Sequence, residues 1–218
     1  MLGRIALFIH QPKCSVQSSN GIMRALSPHY EFKLFTQHEI EDDFFDDVDL
    51  VCVPGGVGDA DSYPALMVNH QKSIRQFVSR GGGYLGICMG AYWAGSHYLD
   101  ILDGVDAVQY ITRPTACTRR PHPKSMPVTW QGQQEKMYFY DGCALVGNPV
   151  KFKTIATYPN GDPMAIMQGR VGLIGCHPEA VQNWYQYPSW MPKQWSGNCH
   201  HMLFDFVNTL LIKEQSVN

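Results

Sequence analysis

Short apolar runs recur along this chain at intervals that leave room for one helix between them. RIALFIH (residues 4–10), LVCVPGG (50–56) and YLGIC (84–88) are too short for helix cores and too apolar for edge strands, so they read as strands buried on both faces. Between the last two lies ALMVNHQKSIRQFVSR, with Leu66, Ile74, Phe77 and Val78 spaced among polar residues. That spacing predicts an amphipathic helix over 65–80, stopped by the glycines that follow. After the first strand, the polar CSVQSSNG reads as a connection into a short helix, IMRALSPH (22–29). YEFKLFT (30–36) alternates as a further strand, and the acidic HEIEDDFFDDVD (38–49) reads as a solvated connection. Strands alternating with helices imply right-handed crossovers, hence an α/β fold with a mainly parallel sheet and helices on both faces.

The texture changes beyond Asp100. MPVTW, KMYFYD, KTIATY, PMAIMQ and VGLIGCH are short strand candidates divided by Gly, Pro and Asn turns, which predicts antiparallel hairpins added to the parallel core. CHHMLFDFVNTLLI (199–212) supplies a closing amphipathic helix. With 218 residues, 44% of them hydrophobic, and no repeat or linker in sight, residues 1–218 are expected to form a single domain with its own core.

Charge and cysteine usage narrow the function. A net charge of −2 gives no electrostatic case for nucleic acid or a membrane surface. The first residues lack a signal-peptide pattern and no stretch approaches membrane-spanning length, so the expected location is cytoplasmic. The seven cysteines are odd in number, scattered and without a CxxC pair, which argues against both a disulfide framework and a structural zinc site. The glycines of SRGGGYLG precede a strand, whereas a dinucleotide fingerprint needs them after one.

Cys88 is set apart by its neighbours. Gly86 and Gly90 flank it at a strand-to-helix turn, which lets the backbone bend sharply and present the side chain at the apex, as in a nucleophile elbow. The start of a helix there favours a thiolate. The plainer reading is a helix-packing turn with an inert thiol. A thiol nucleophile needs a base, and the base needs a carboxylate to hold its tautomer. Where the apolar VGLIG runs into CHPEA, His177 offers the first and Glu179 the second, with Pro178 restraining the backbone between them. VPGG (53–56) ends a strand in two glycines whose amides can face a developing oxyanion without a Cβ in the way. The amides of Gly56 and Met89 would together form a two-donor hole.

Taken in order, VPGG, GGGYLGICMGAY and GCHPEA resemble the class I glutamine amidotransferase-like superfamily, and most closely the N-terminal domain of biotin-protein ligases. The resemblance spans nearly the whole chain. It implies a flavodoxin-like sheet, Cys88 as nucleophile, His177 as base, Glu179 as its orienter, and Gly56 and Met89 as the oxyanion hole. The substrate pocket is expected to take in Gly55, Tyr92 and Cys14. The substrate implied is a small-molecule amide, with no cofactor and no metal, and a synthase or ligase partner protein is a further expectation, since 218 residues leave no room for such a module. Class I glutaminases follow the nucleophile with Gly-x-Gln, whereas this chain reads Cys88-Met89-Gly90-Ala91-Tyr92, so free glutamine is expected to be a poor substrate.

Two functions fit these residues. One is a cysteine-dependent amidohydrolase; the other is a binding or regulatory module that keeps the fold without turnover. Other motifs stay open. Cys199-His200-His201 is a weak metal candidate because adjacent ligands on a helix diverge. TRRPHPK is either an anion contact or an exposed basic loop, and NWYQYPSWMPKQW either a lid over the Cys88 cleft or ordinary packing.

Overall fold

The computed structural model describes residues 1–10, 16–39, 41, 43–56 and 62–212. In chain order the elements are β1 (Arg4–Phe8), α1 (Val16–Leu26), β2 (Glu31–Phe35), β3 (Leu50–Val53), α2 (Ser62–Leu66), α3 (Gln71–Ser79), β4 (Gly83–Ile87), α4 (Met89–Trp93), β5 (Val105–Gln109), β6 (Lys124–Trp130), β7 (Gln133–Phe139), β8 (Cys143–Gly147), β9 (Lys153–Thr157), β10 (Pro163–Gln168), β11 (Val171–Ile174) and α5 (His200–Leu211). Among the described residues the main sheet has nine strands in the order β2-β1-β3-β4-β11-β10-β9-β6-β7. The half from β2 to β11 is parallel. From β11 outward through β10, β9, β6 and β7 every pairing is antiparallel. The α/β class, the parallel core and the added hairpins are as the sequence implies. VGLIGCH, grouped with the hairpins by its surroundings, is the strand that joins the two halves, antiparallel to β10 and parallel to β4.

Period-two alternation explains why helices cover both faces. Ile5 and Leu7 of β1, Leu50 and Cys52 of β3, and Leu85 and Ile87 of β4 share one core with Ile22 and Leu26 of α1 and Leu203 and Phe206 of α5. Their neighbours Ala6, Phe8, Val51, Val53 and Tyr84 share another with Tyr63 and Leu66 of α2, Ile74 and Phe77 of α3, and Trp93 of α4. A strand buried on both faces must be apolar throughout, as these are. A second, two-stranded sheet pairs β5 with β8, which the sequence patterning did not reveal.

Three segments depart from their sequence reading. Residues 65–80 are two helices with a 3-10 turn, Val68–His70, between them. The break falls where buried His70 donates its Nε2–H to the Thr36 carbonyl at 2.7 Å, a tie across the fold that one continuous helix would not make. The second helix does end as expected: the Gly82 and Gly81 amides return to the Phe77 and Val78 carbonyls in a Schellman pattern. The acidic segment before β3 is also less solvated than its charge suggests, since Phe44, Phe45 and Val48 enter the core. Burying each phenyl group is worth about 1.5–3 kcal/mol, more than the ~0–1 kcal/mol of exposed ion pairs such as Asp47 with Arg4 and Lys33. Finally, α1 begins six residues before the predicted Ile22, taking in the Ser-rich stretch read as a connection. Ser18 and Ser19 are buried there, and their hydroxyls bond to Glu179 and to the Phe8 carbonyl.

Candidate active site

Three neighbouring parallel strands, β3, β4 and β11, bring the sequence-predicted residues together at their carboxyl ends, where open α/β sheets place their ligands. β3 runs into Gly55 and Gly56, β4 into Cys88, and β11 into His177 and Glu179.

Cys88 sits at the apex between β4 and α4 with φ 51° and ψ −104°, a conformation that costs a non-glycine residue about 1–3 kcal/mol. The flanking glycines make the bend possible. A Cβ on Gly86 would stand 2.4 Å from the Gly90 carbonyl oxygen, and one on Gly90 would stand 2.1 Å from that of Val53. Both positions are therefore closed to larger residues, and the elbow is clamped between β3 and its own outgoing turn. The Cys88 amide is fixed by the Ile174 carbonyl of β11 at 2.8 Å, and its Sγ lies 3.9 Å from the Tyr140 carbonyl. The helix that follows is only five residues long. Any stabilisation of negative charge at the elbow therefore comes from local amides rather than a long macrodipole.

His177 is held by its backbone and its ring. Its amide donates to the Tyr138 carbonyl at 2.9 Å, extending the β7 edge by one bridge. The ring lies edge-on to Tyr138 and Trp184, with centroids 5.8 and 5.4 Å away. Nδ1 donates to Oε1 of Glu179 at 2.8 Å, which leaves Nε2 for another partner. Burial, the largest single influence, pulls the imidazole pKa down; the Glu179 and Cys88 charges and the hydrogen bonds to both side chains outweigh it and raise it to about 10. Gly55 packs against both thiol and imidazole: a Cβ there would stand 2.5 Å from Cε1 of His177 and 3.5 Å from Cβ of Cys88.

Glu179 is fully buried. Its Oε1 accepts from His177 and, at 2.6 Å, from the Ser18 hydroxyl, while Oε2 has no hydrogen-bond partner among the described residues. The same Ser18 oxygen accepts the Gly55 N–H at 3.1 Å. Gly55 is thereby excluded as an oxyanion donor. Met89 opens α4, where its N–H has no acceptor within the helix.

A cavity of 170 Å³ opens beside this group, lined by Gln17, Gly55, Gly56, Pro123, Tyr138, Tyr140, His177 and Trp184. Tyr92 is not among these residues; it is largely buried, within electrostatic reach of Cys88, Cys143 and Asp141. Cys14 lies outside the described residues. Ser18, Tyr138, Tyr140 and Trp184 were not singled out by the sequence reading, although Trp184 falls in the aromatic stretch left open between lid and packing. Trp184 forms cavity wall and also packs against the small core that Tyr185 and Met191 build with Ala180. In the basic loop, Arg119 is spent on the carbonyls of Ile111, Arg113 and Pro114. Cys199, His200 and His201 diverge: the thiol faces the Lys136 carbonyl, the His200 ring faces the Glu179 carbonyl, and His201 is exposed.

The remaining buried thiols differ from Cys88 in their surroundings. Burial pushes Cys52, Cys143 and Cys176 up, Cys52 with help from the Glu179 charge, and burial lifts Cys199 to about 11.

Comparison with known proteins agrees with this architecture. The family described as biotin-protein ligase, N terminal, matches residues 11–101. No curated protein sequence matches the chain. Among solved structures, PurLQS from Thermotoga maritima superposes with a TM-score of 0.69 at 15% identity, over 97% of this chain and 100% of that one. A glutamine amidotransferase from the same organism gives 0.60 at 14% identity, over 96% and 90%. Another structure titled glutamine amidotransferase gives 0.59 at 17%, over 80% and 90%. At these identities the likeness is one of fold.

Proposed function

From its class I glutamine amidotransferase-like fold and the match of residues 11–101 to the biotin-protein ligase N-terminal family, we propose that this chain is a cysteine-dependent amidohydrolase acting on a carboxamide. The observation that carries the reading is the buried His177–Glu179 contact at 2.8 Å, with Gly55 packed against both its imidazole and a thiol on a backbone-strained elbow. A carboxylate sealed from water and committed to one imidazole nitrogen is the arrangement a general base requires.

In this reading the Cys88 proton already rests on Nε2 of His177, the imidazolium that the raised pKa describes, and Sγ attacks the amide carbon. The carbonyl oxygen takes up the negative charge between the N–H groups of Gly56 and Met89. The imidazolium, stabilised by Glu179, returns the proton to the departing nitrogen, and the C–N bond breaks to give ammonia and a thioester on Cys88. Water then attacks the thioester, giving its proton to Nε2 as the C–S bond breaks. The carboxylic acid leaves, and the Cys88–His177 pair is restored with its proton on Nε2. A synthase partner that consumes the ammonia belongs to the same reading.

The test is ammonia release from a panel of primary amides, of which glutamine is one member. Release by the wild type and none by Cys88→Ala supports the reading. Equal release by both proteins, or none from any amide tried, favours a binding module instead.

A further inference from the structure

We infer that Ser18 is a positioning residue that ties Glu179 to the Gly55–Gly56 turn, an inference that rests on the triad reading above. Its hydroxyl donates to Oε1 of Glu179 at 2.6 Å and accepts the Gly55 N–H at 3.1 Å, so one buried oxygen touches both the acid that orients the base and the turn that carries an oxyanion donor. Oε2 of Glu179 is buried and has no partner among the described residues, so the carboxylate is fixed in rotation by the two bonds on Oε1. The terminal torsion of a glutamate is broad when nothing holds it. Without Ser18 only the His177 bond remains among the described residues, and the carboxylate is free to turn about it.

The backbone is shaped to allow this tie. A Cβ on Gly21 would stand 2.4 Å from the Glu179 carbonyl oxygen and 3.0 Å from its Cγ, so α1 approaches the acid as closely as a helix can, one turn after Ser18. On the other side the bond fixes the Gly55 amide, one residue before the Gly56 N–H that the proposed reaction uses. Carboxylate orientation and oxyanion-hole placement are thereby set by a single hydroxyl.

The experiment compares the full chain with Ser18→Ala and Ser18→Thr. It reads the Gly55 amide hydrogen-exchange rate by NMR, the thermal melting curve, and kcat and KM on whichever primary amide the wild type turns over. Groups that orient metal ligands are worth about 10–100-fold in activity, and a hydroxyl that holds the carboxylate of a general base is expected to act on the same scale. Ser18→Ala should remain folded, exchange its Gly55 amide at least about tenfold faster, and lose about 10–100-fold in kcat with KM within about twofold. Ser18→Thr, which keeps the hydroxyl, should recover both. A folded Ser18→Ala with wild-type Gly55 exchange or wild-type kcat overturns the inference, as does a folded Ser18→Thr that behaves like the alanine variant. If the wild type turns over no amide, the triad reading fails, and the Ser18 tie is then decided by Gly55 exchange alone.

Discussion

Gly90 packs so closely on Val53 that a Cβ would stand 2.1 Å from the Val53 carbonyl oxygen. The obstacle is backbone within the central sheet, so no side-chain rotation can relieve it. Gly90→Ala should destabilise the fold by about 1–3 kcal/mol, the usual cost of overpacking, and should displace the elbow at Cys88. A melting temperature within about 1 °C of wild type would mean that the elbow is not clamped between β3 and α4.

The cysteines should rank by environment. At neutral pH iodoacetamide should modify Cys88 faster than Cys52, Cys143, Cys176 and Cys199, whose thiols burial holds up. Exposed Cys117 serves as the internal reference for a thiol open to solvent. Cys88 is itself only 7% exposed, so access alone cannot place it ahead of the others. Peptide mapping that finds Cys88 among the slowest would remove the reason for treating it as a nucleophile.

The members of the pair should separate kinetically. His177→Ala removes the group that moves the proton and should abolish amide turnover. Glu179→Gln keeps a hydrogen-bonding side chain at Nδ1 but can present the wrong tautomer, and should lower kcat by roughly 10³–10⁴-fold with KM little changed. Variants that match wild type would place any measured activity at another site.

Stability should carry a pH signature of the same pair. The folded imidazole holds its proton up to about 10, against roughly 6.5 for an unperturbed histidine. A group with a raised folded pKa stabilises the fold fully below the unfolded value, and that contribution drains away as pH rises through the folded one. The melting-temperature advantage of wild type over His177→Ala should therefore shrink steadily between about pH 7 and 10. The packing lost with the ring is independent of pH and adds only a constant offset to that difference. A constant difference across that interval would show that the ring is not held as an imidazolium.

Much of this was legible in the sequence because local chemistry and global position agree. Gly86, Cys88 and Gly90 announce a bend that only small residues allow, and His177 and Glu179 lie two residues apart, so their contact needs one turn rather than a tertiary fold. Ser18 was hidden for the opposite reason. Serines are weak helix formers, and a run of them reads as a connection, yet two hydroxyls satisfied across the fold hold the segment helical. Tyr138 and Tyr140 were equally silent, since β7 meets His177 only through the antiparallel half of the sheet, a pairing far apart in the chain. The helix over 65–80 looked continuous because no local signal records the buried bond from His70 to Thr36.

The central claim is that Cys88 forms a covalent bond to the carbon of an amide-like substrate. Its most direct test is intact-mass analysis of the full chain after exposure to glutamine-like electrophiles and slowly turned-over amides, followed by peptide mapping. A single adduct on Cys88, absent from Cys88→Ala and slowed in His177→Ala, is the predicted result. An adduct elsewhere, or the same adduct mass on Cys88→Ala, would contradict it.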